Sequence, residues 1–178
     1  MILDLGSPAP GFSLPGTDGK AWTLESFKDA KALCVVFSCN HCPYVKAYEG
    51  RFVALQSELG PRGFQLVAIN ANDASSHPED GFEAMRQRAQ ERGFNFPYLR
   101  DESQATARAY GAVRTPHVFL FDAARTLAYV GRIDDSWDRP EKVVRHELRD
   151  AVEDILAGRP VALAETFAVG CTIKWKED

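Results

Sequence analysis

The sequence predicts an α/β domain with a mixed central sheet and helices on both faces. Short apolar runs at 33–37 and 66–69 enclose an amphipathic helical pattern, and a strand–helix–strand unit of this kind places its two strands parallel. Two later apolar runs, 118–121 and 127–130, are separated by a short turn, which makes them an antiparallel hairpin. Parallel and antiparallel pairs in one chain together predict a mixed sheet.

The chain begins with a turn-rich segment that we interpret as a β-hairpin. Apolar residues at 12–14 and 21–24 flank Asp18-Gly19, a dipeptide typical of hairpin turns. The length of 178 residues suits a single domain, 1–178. Within it we expect three parts: a hairpin elaboration over 1–32, a core over 33–157, and a tail over 158–178 without clear periodicity.

The helices are predicted from apolar residues that recur at helical spacing. The clearest pattern runs from Tyr48 through Phe52 to Leu59, and it stops at Gly60-Pro61 because this dipeptide ends helices. Further helices are expected at 78–92 and 103–110. The last helix is predicted from an apolar stripe that ends before Gly158 and comprises Val144, Leu148, Ala151, Val152 and Ile155.

The composition is that of an ordinary globular protein. Hydrophobic residues make up 45% of the chain and charged residues 26%, which excludes a disordered chain and a coiled coil. Lys and Arg number 21 against 25 Asp and Glu, a formal charge of −4, and this balance argues against a nucleic-acid partner. Apolar runs fall short of the roughly 18–20 residues that span a bilayer, and residues 1–10 lack the basic start of a secretory signal. We therefore expect a cytoplasmic protein with no membrane partner.

The segment with the clearest chemistry is Cys39-Asn40-His41-Cys42, between a buried strand and an amphipathic helix. A cysteine at a helix N-terminus meets unpaired backbone N–H groups and the positive end of the helix dipole, and both lower the thiol pKa. We expect Cys39 to attack a substrate disulfide as a thiolate, and Cys42 to resolve the mixed disulfide. A cationic His41 would stabilise the Cys39 thiolate further.

Two questions at this motif stay open. The pair could be half of a zinc site, although the sequence has no second C-x-x-C and leaves only Cys171 and isolated histidines as ligands. If Cys39 is the N-cap, Pro43 removes an intrahelical hydrogen bond, whereas a tight turn over 39–42 lets Pro43 serve as the first helical residue. Otherwise we expect no metal and no organic cofactor, because the sulfur pair itself carries the electrons.

These features together resemble a known fold. The strand, the C-x-x-C at the helix start, and Thr115-Pro116 before the antiparallel hairpin look like the thioredoxin fold. Segments 6–14, 96–102 and 119–122 resemble the redoxin group, which covers thioredoxin-like thiol–disulfide oxidoreductases and the peroxiredoxins of the AhpC-TSA-like superfamily. The motif Cys-Asn-His-Cys-Pro-Tyr at 39–44 and the tail Gly-Cys-Thr-Ile-Lys-Trp at 170–175 resemble a subgroup of soluble thioredoxin-family proteins.

The resemblance implies a function as well as a fold. By it, Pro116 is a cis-proline, and the backbone at Thr115 pairs with a bound substrate chain beside Cys39. It implies a thiol–disulfide oxidoreductase that acts on protein or low-molecular-weight disulfides and thiols. Such an enzyme exchanges electrons with a second, reducing or oxidising redox partner.

Several residues depart from the family pattern. Ser38 stands where thioredoxin carries tryptophan, and Leu33 and Val45 stand where thioredoxin and its membrane-anchored relatives carry a carboxylate. The proton acceptor for Cys42 is therefore unidentified. The threonine and arginine of peroxiredoxins are also missing, so a thiol peroxidase is the less favoured alternative. A redox-sensing binding module with little turnover is another.

Five further residues are secondary candidates. Topology places the loop after the last hairpin strand at the edge that carries the motif, so Asp134 and Asp135 would supply the missing base, shape a partner surface, or lie in solvent. His117 would contact substrate or lie in a solvent-facing loop. Cys171 would be a resolving or relay thiol, or a free cysteine packed under the tail. Cys34, inside an apolar strand, is expected to be a small buried hydrophobe.

Overall fold

The computed structural model describes residues 1–177; Asp178, the last residue of the predicted tail, lies outside the described residues. The elements have the following bounds in chain order: β1 (Ser13–Pro15), β2 (Ala21–Thr23), β3 (Ala32–Ser38), α1 (Pro43–Leu59), β4 (Phe64–Asn70), α2 (Phe82–Glu91), β5 (Tyr98–Arg100), α3 (Ala105–Tyr110), β6 (Arg114–Thr115), β7 (His117–Phe121), β8 (Leu127–Gly131), α4 (Glu147–Leu156) and β9 (Cys171–Thr172).

A central sheet organises the chain. Over residues 1–177 it has five strands in the order β5-β4-β3-β7-β8. Strand β3 runs parallel to β4, and β4 parallel to β5, whereas the β7–β8 hairpin joins β3 in antiparallel orientation. The predicted α/β fold with a mixed sheet is therefore confirmed. All of β3 is buried because the strand lies at the centre of the sheet, and this explains its continuous apolar run.

Helices cover both faces of the sheet, as predicted. One face packs against α1, α2 and α4, with Phe52, Met85 and Val152 among the buried contacts. The other face packs against α3 and the N-terminal segment, with Tyr110 and Phe27 buried. Burial of each large apolar side chain contributes roughly 1.5–3 kcal/mol, so packing on the sheet is the main force that holds these helices.

The N-terminal hairpin is also confirmed. Strands β1 and β2 pair antiparallel, with Leu14 opposite Trp22. The side chain of Asp18 stabilises the turn, since its Oδ1 accepts hydrogen bonds from the Lys20 backbone N–H at 3.0 Å and from the Trp22 indole N–H at 3.1 Å. Turn chemistry and cross-strand pairing agree here, which is why the local sequence predicts this element well.

Three of the predicted helices have different bounds, and in the shortest of them the difference is only that α3 begins at Ala105 and not at 103. The segment expected as one helix over 78–92 is a 3-10 turn at Pro78–Asp80 followed by α2, because Gly81 between them has an extended backbone. Val144 is not part of the last helix: it is exposed, and α4 begins only at Glu147. No helix among residues 1–177 is long and apolar enough to span a membrane.

Three short strands were not expected from the sequence. Strand β5 adds a parallel edge strand beside β4, and it has only three residues, too few for a periodic pattern. Strand β9, in the segment predicted as an unpatterned tail, pairs antiparallel with β6. Because β6 directly precedes Pro116, this pairing brings the tail to the edge of the sheet where β3 ends.

Candidate active site

The C-x-x-C motif lies at the edge of the sheet where β3 ends. After Ser38 the motif forms a turn, and α1 begins at Pro43 with Cys42 as its N-cap. The alternative in which Pro43 is the first helical residue is therefore confirmed, and proline fits there because the first N–H groups of a helix have no intrahelical partner. Cys42, and not Cys39, is the cysteine next to the helix N-terminus.

Three sulfur atoms meet at this edge. Cys39 Sγ lies 3.4 Å from Thr115 Oγ1, and Cys42 Sγ lies 3.2 Å from the Thr115 carbonyl oxygen. Cys171 Sγ lies 2.9 Å from Cys42 Sγ. The cysteines are thiols, and the peptide bond between Thr115 and Pro116 is cis. All five residues are candidates from the sequence, and the fold brings them together.

The two sulfurs of the pair differ in their hydrogen bonds and burial, and therefore in the direction of their pKa shifts. The hydrogen bond with Cys39 lowers the pKa of Cys42 below the ordinary thiol value; burial opposes this, while hydrogen bonds from Cys171 and Val45 add to it. The hydrogen bond with Cys42 and burial raise the pKa of Cys39, whose side chain is only 2% exposed. The position of Cys42 as the N-cap of α1 also favours its thiolate, whereas attack by Cys39 on a substrate disulfide stays a prediction.

Asp80 is a functional candidate that sequence patterns do not reveal. Its carboxylate is fully buried and accepts hydrogen bonds from the Asn40 backbone N–H at 2.6 Å and from the Asn72 amide at 3.0 Å. It lies within 4.8 Å of Cys39 Sγ, and its negative charge contributes to the raised pKa of Cys39. A buried carboxylate beside the sulfur pair is therefore present, and it comes from the 3-10 turn at Pro78–Asp80, whereas the family positions, Leu33 and Val45, lie in β3 and α1.

His41 is directed at Asp80. Its Nδ1 hydrogen-bonds Asp80 Oδ2, and its ring stacks on His77 with the centroids 5.1 Å apart. The sequence suggested that His41 stabilises the Cys39 thiolate directly. A His41 ring nitrogen and an Asp80 oxygen both lie within 4.8 Å of Cys39 Sγ, so direct stabilisation of the Cys39 thiolate by a cationic His41 stays a prediction.

The turn that carries the motif is held by a buried hydrogen-bond network. Asn40 Oδ1 accepts a hydrogen bond from the Tyr98 hydroxyl at 2.8 Å, and Asn40 Nδ2 donates to the Glu79 carbonyl oxygen at 2.8 Å. Burial raises the pKa of Tyr98, so its hydroxyl stays protonated and can donate. Strand β5 thus contributes to the site by placing Tyr98 under the motif.

The same residues offer a possible metal-binding set. Cys39, His41 and Asp80 each bring one potential ligand atom, and these atoms lie within 4.8 Å of one another. Thiolate, imidazole and carboxylate are ligand types that zinc accepts. In this structure His41 Nδ1 hydrogen-bonds Asp80, and a metal ion at these atoms would replace that hydrogen bond.

His117 lies within β7 and not in a loop. Its side chain is 1% exposed, and Nδ1 accepts a hydrogen bond from the Val113 N–H at 3.2 Å. Burial lowers its pKa to about 4, and the positive charge of Arg114 acts in the same direction. The interpretation as a solvent-facing histidine is therefore wrong, and such burial leaves no surface for direct contact with substrate.

Asp134 and Asp135 have structural partners. Asp134 is 5% exposed and accepts hydrogen bonds from the Tyr48 hydroxyl at 2.8 Å and from Arg51 at 2.7 Å. Asp135 accepts a hydrogen bond from the Val144 N–H at 3.0 Å. The suggestion that these residues supply the missing base is corrected by these contacts, because Asp80 is the carboxylate beside the sulfurs.

The two other cysteines differ in environment. Cys34 is completely buried in β3, and burial raises its pKa, so its expected role as a small buried hydrophobe is confirmed. Cys171 is only partly buried and packs against the pair formed by Cys39 and Cys42. Burial and its contact with Cys42 raise the pKa of Cys171 to about 11.

Comparison with known proteins adds independent information. The profile of the AhpC/TSA family matches residues 5–130. No curated protein matches the sequence significantly.

Solved structures match the fold closely. An uncharacterized conserved protein from Geobacillus kaustophilus is 42% identical, with a TM-score of 0.92, over 98% of this chain and 94% of that chain. A hypothetical protein from Sinorhizobium meliloti 1021 is 39% identical, with a TM-score of 0.93, over 100% of this chain and 98% of that chain. A thiol:disulfide interchange protein of the thioredoxin family from Chlorobium tepidum TLS is 25% identical, with a TM-score of 0.59, over 70% and 84%. The expected thioredoxin fold is confirmed by these matches.

Proposed function

Because this chain belongs to the AhpC/TSA family, we propose that it catalyses thiol–disulfide exchange with Cys39 and Cys42 as its redox pair. The observation that carries the proposal is the convergence of both sulfurs on Thr115, at 3.4 Å from its hydroxyl and 3.2 Å from its carbonyl oxygen. Their placement between β3 and α1 supports it, as does the similarity to the Chlorobium tepidum interchange protein.

The proposed reaction has two exchange steps. Cys39 attacks one sulfur of the substrate disulfide, and the other substrate sulfur leaves as a thiolate. Cys42 then attacks Cys39 in the mixed disulfide, which releases the second substrate sulfur and forms the Cys39–Cys42 disulfide. Two electrons pass to the substrate, and the two enzyme thiols lose two protons. The lowered pKa of Cys42 suits the second step, because the resolving sulfur must react as a thiolate.

Asp80 is proposed as the proton acceptor for Cys39. The raised pKa of Cys39 means that this thiol needs a base before it can attack. The Asp80 carboxylate lies within 4.8 Å of Cys39 Sγ, and His41 hydrogen-bonds it from the other side. Asp80 is thus proposed for Cys39, and it differs in role from the carboxylate that relatives provide for Cys42 at the positions of Leu33 and Val45.

The substrates we propose are disulfides of proteins or of small molecules, and a separate redox partner returns the pair to its starting state. Reduction of insulin disulfides by the full chain, with dithiothreitol as electron donor, tests the proposal. The wild-type protein should accelerate the reaction, and Cys39→Ser and Cys42→Ser should each abolish the acceleration. Cys34→Ala is the matched control, because this cysteine is buried in the neighbouring strand and should be dispensable. Unchanged acceleration by Cys39→Ser contradicts the proposal.

Thiol peroxidase activity is the second candidate, and the AhpC/TSA family match favours it. Against it, peroxiredoxins carry a threonine three residues before their peroxidatic cysteine. In this chain that position is Val36 if Cys39 is the reactive cysteine, and Cys39 if Cys42 is the reactive one. Rapid consumption of hydrogen peroxide with a thiol donor, without reduction of insulin, would favour the peroxidase. Stoichiometric oxidation that changes the affinity for a partner, without turnover, would favour a redox sensor.

A further inference from the structure

We propose that Cys171 is a third redox sulfur. It forms an internal disulfide with Cys42, and this disulfide holds the tail over the active site. The tail strand β9, which already pairs with β6 beside the sulfurs, would then be held covalently at the position that a substrate must reach. This inference rests on the proposed function only in that the Cys39–Cys42 disulfide is its starting point.

The contact between the two sulfurs is the first observation. Cys42 and Cys171 Sγ atoms lie 2.9 Å apart, so a small side-chain movement brings them to the bonding distance of about 2.0 Å. Cys42 is wholly buried in this arrangement, and Cys171 packs on it. An external sulfur that is to reach Cys42 from this side must occupy the place of Cys171.

The pairing of the tail is the second observation. Strand β9 lies antiparallel to β6, and the register places Cys171 opposite Thr115 and Thr172 opposite Arg114. Thr115 is also the residue that contacts the sulfurs of Cys39 and Cys42. The tail therefore presents a cysteine to the redox pair beside Thr115, the same residue that contacts both of its sulfurs.

Gly170 shows how closely the tail is fitted to this edge. A Cβ atom at Gly170 would lie 2.1 Å from the Thr115 carbonyl oxygen and 3.1 Å from Pro116 N. Contacts under about 3 Å with backbone atoms cannot be relieved by a side-chain movement, so any other residue here must displace the tail. Position 170, next to Cys171, therefore accepts only glycine while the tail keeps this place.

The tail beyond Cys171 is anchored by further contacts. The Ile173 side chain is 3% exposed, and its N–H donates to the Val113 carbonyl oxygen at 3.2 Å. The Lys174 N–H donates to Asn72 Oδ1 at 2.9 Å, and the Lys174 carbonyl oxygen accepts from the Asp73 N–H at 2.8 Å. These contacts fix the register of the tail, so the position of Cys171 does not depend on the sulfur contact alone.

The chemical step is an internal exchange that needs no additional oxidant. Once a substrate disulfide has oxidised the pair, the Cys171 sulfur attacks Cys42; the Cys39–Cys42 bond breaks and the Cys42–Cys171 bond forms. Cys39 leaves as the thiolate and gains the proton that Cys171 loses, so charge, protons and electrons balance. A dithiol reductant reverses the state by reducing Cys42–Cys171 to two thiols.

Disulfide mapping of the full chain tests the proposal. The reduced protein is oxidised with oxidised glutathione, its remaining thiols are alkylated in acid, and it is digested with trypsin. Cys39 and Cys42 lie on one tryptic peptide, 32–46, whereas Cys171 lies on another, 150–174. We expect the two peptides to be joined by a disulfide in the wild type and not in Cys42→Ser. Alkylated Cys171 in the wild type, with a disulfide confined to 32–46, overturns the inference.

Gly170→Val provides a variant that keeps every cysteine. We expect it to lose the joined peptides and to accumulate the disulfide within 32–46, whereas the control Gly11→Ala, at a site with open space, should behave as the wild type. Joined peptides at the wild-type level in a folded Gly170→Val overturn the inference. If Gly170→Val does not fold, Cys171→Ser answers the same question: oxidation should then stop at the disulfide within 32–46.

The two proposals fail in different ways. A disulfide within 32–46 and reduction of insulin, without joined peptides, overturns only the inference about Cys171. Joined peptides without reduction of insulin by the wild type or by Cys171→Ser support the inference and overturn the proposed enzyme.

Discussion

Cys42 and Cys171 are separated by 129 residues in the chain, yet their sulfur atoms lie 2.9 Å apart. The pairing of β9 with β6 produces this contact, because it sets Cys171 opposite Thr115. The cysteine with the lowered pKa is therefore the one that the tail covers. We expect access to Cys39 and Cys42 to depend on how firmly the tail is held.

Weakening the tail should expose the sulfur pair. Ile173→Ala removes a buried anchor, and substitutions of this kind cost about 2–5 kcal/mol. Part of this lost stability weakens the packing of the tail against the rest of the protein. Iodoacetamide should therefore label Cys39 and Cys42 of the reduced protein several times faster than in the wild type. Val169→Ala is the control, because Val169 is in the same tail but 39% exposed. Equal labelling rates for the two variants would contradict the idea that the tail limits access.

Asp80→Asn should separate the two effects of this carboxylate on Cys39. Loss of the negative charge should lower the pKa of Cys39, while loss of the proton acceptor should reduce insulin reduction by roughly 100-fold. The pH dependence of Cys39 labelling by iodoacetamide measures the first effect.

Asp134→Asn is the matched control for this substitution, since Asp134 is also buried but is paired with Arg51 and Tyr48. It should lower the free energy of unfolding without moving the pH profile of Cys39. Identical pH profiles for Asp80→Asn and the wild type would remove Asp80 from the mechanism.

Acid should destabilise the fold through His117. Its pKa is about 4 in the folded protein against an ordinary 6.5, so the unfolded chain binds a proton that the folded protein does not. The contribution of His117 to the free energy of unfolding is therefore fully present above pH 6.5. It is lost progressively, by up to about 3 kcal/mol, as the pH drops towards 4. Urea unfolding at several pH values measures this, and His117→Gln should flatten the dependence. His146→Gln, at an exposed position, should leave it unchanged; a wild-type slope in His117→Gln would refute the assignment.

The sequence predicts those parts of the molecule in which burial leaves a local pattern. Strands β3 and β4 are buried on both faces and therefore appear as continuous apolar runs, and α1 shows a helical stripe. The position of the C-x-x-C between them follows from the same patterns. Strand β5 escapes prediction because three residues carry no period, and it is formed by pairing with β4.

The sequence alone determined the mixed α/β core and the place of the C-x-x-C motif at the end of β3, whereas the start of α1 at Pro43 was one of two alternatives that the structure decided. Only the tertiary structure decided which groups surround the sulfurs. Asp80 reaches the motif through the loop after β4, and Cys171 reaches it through the tail. His117 is neutral because β7 is buried within the sheet. The physical reason is that periodicity records how one segment is buried, whereas the pKa of a thiol depends on charges and hydrogen bonds from distant segments that only packing brings together.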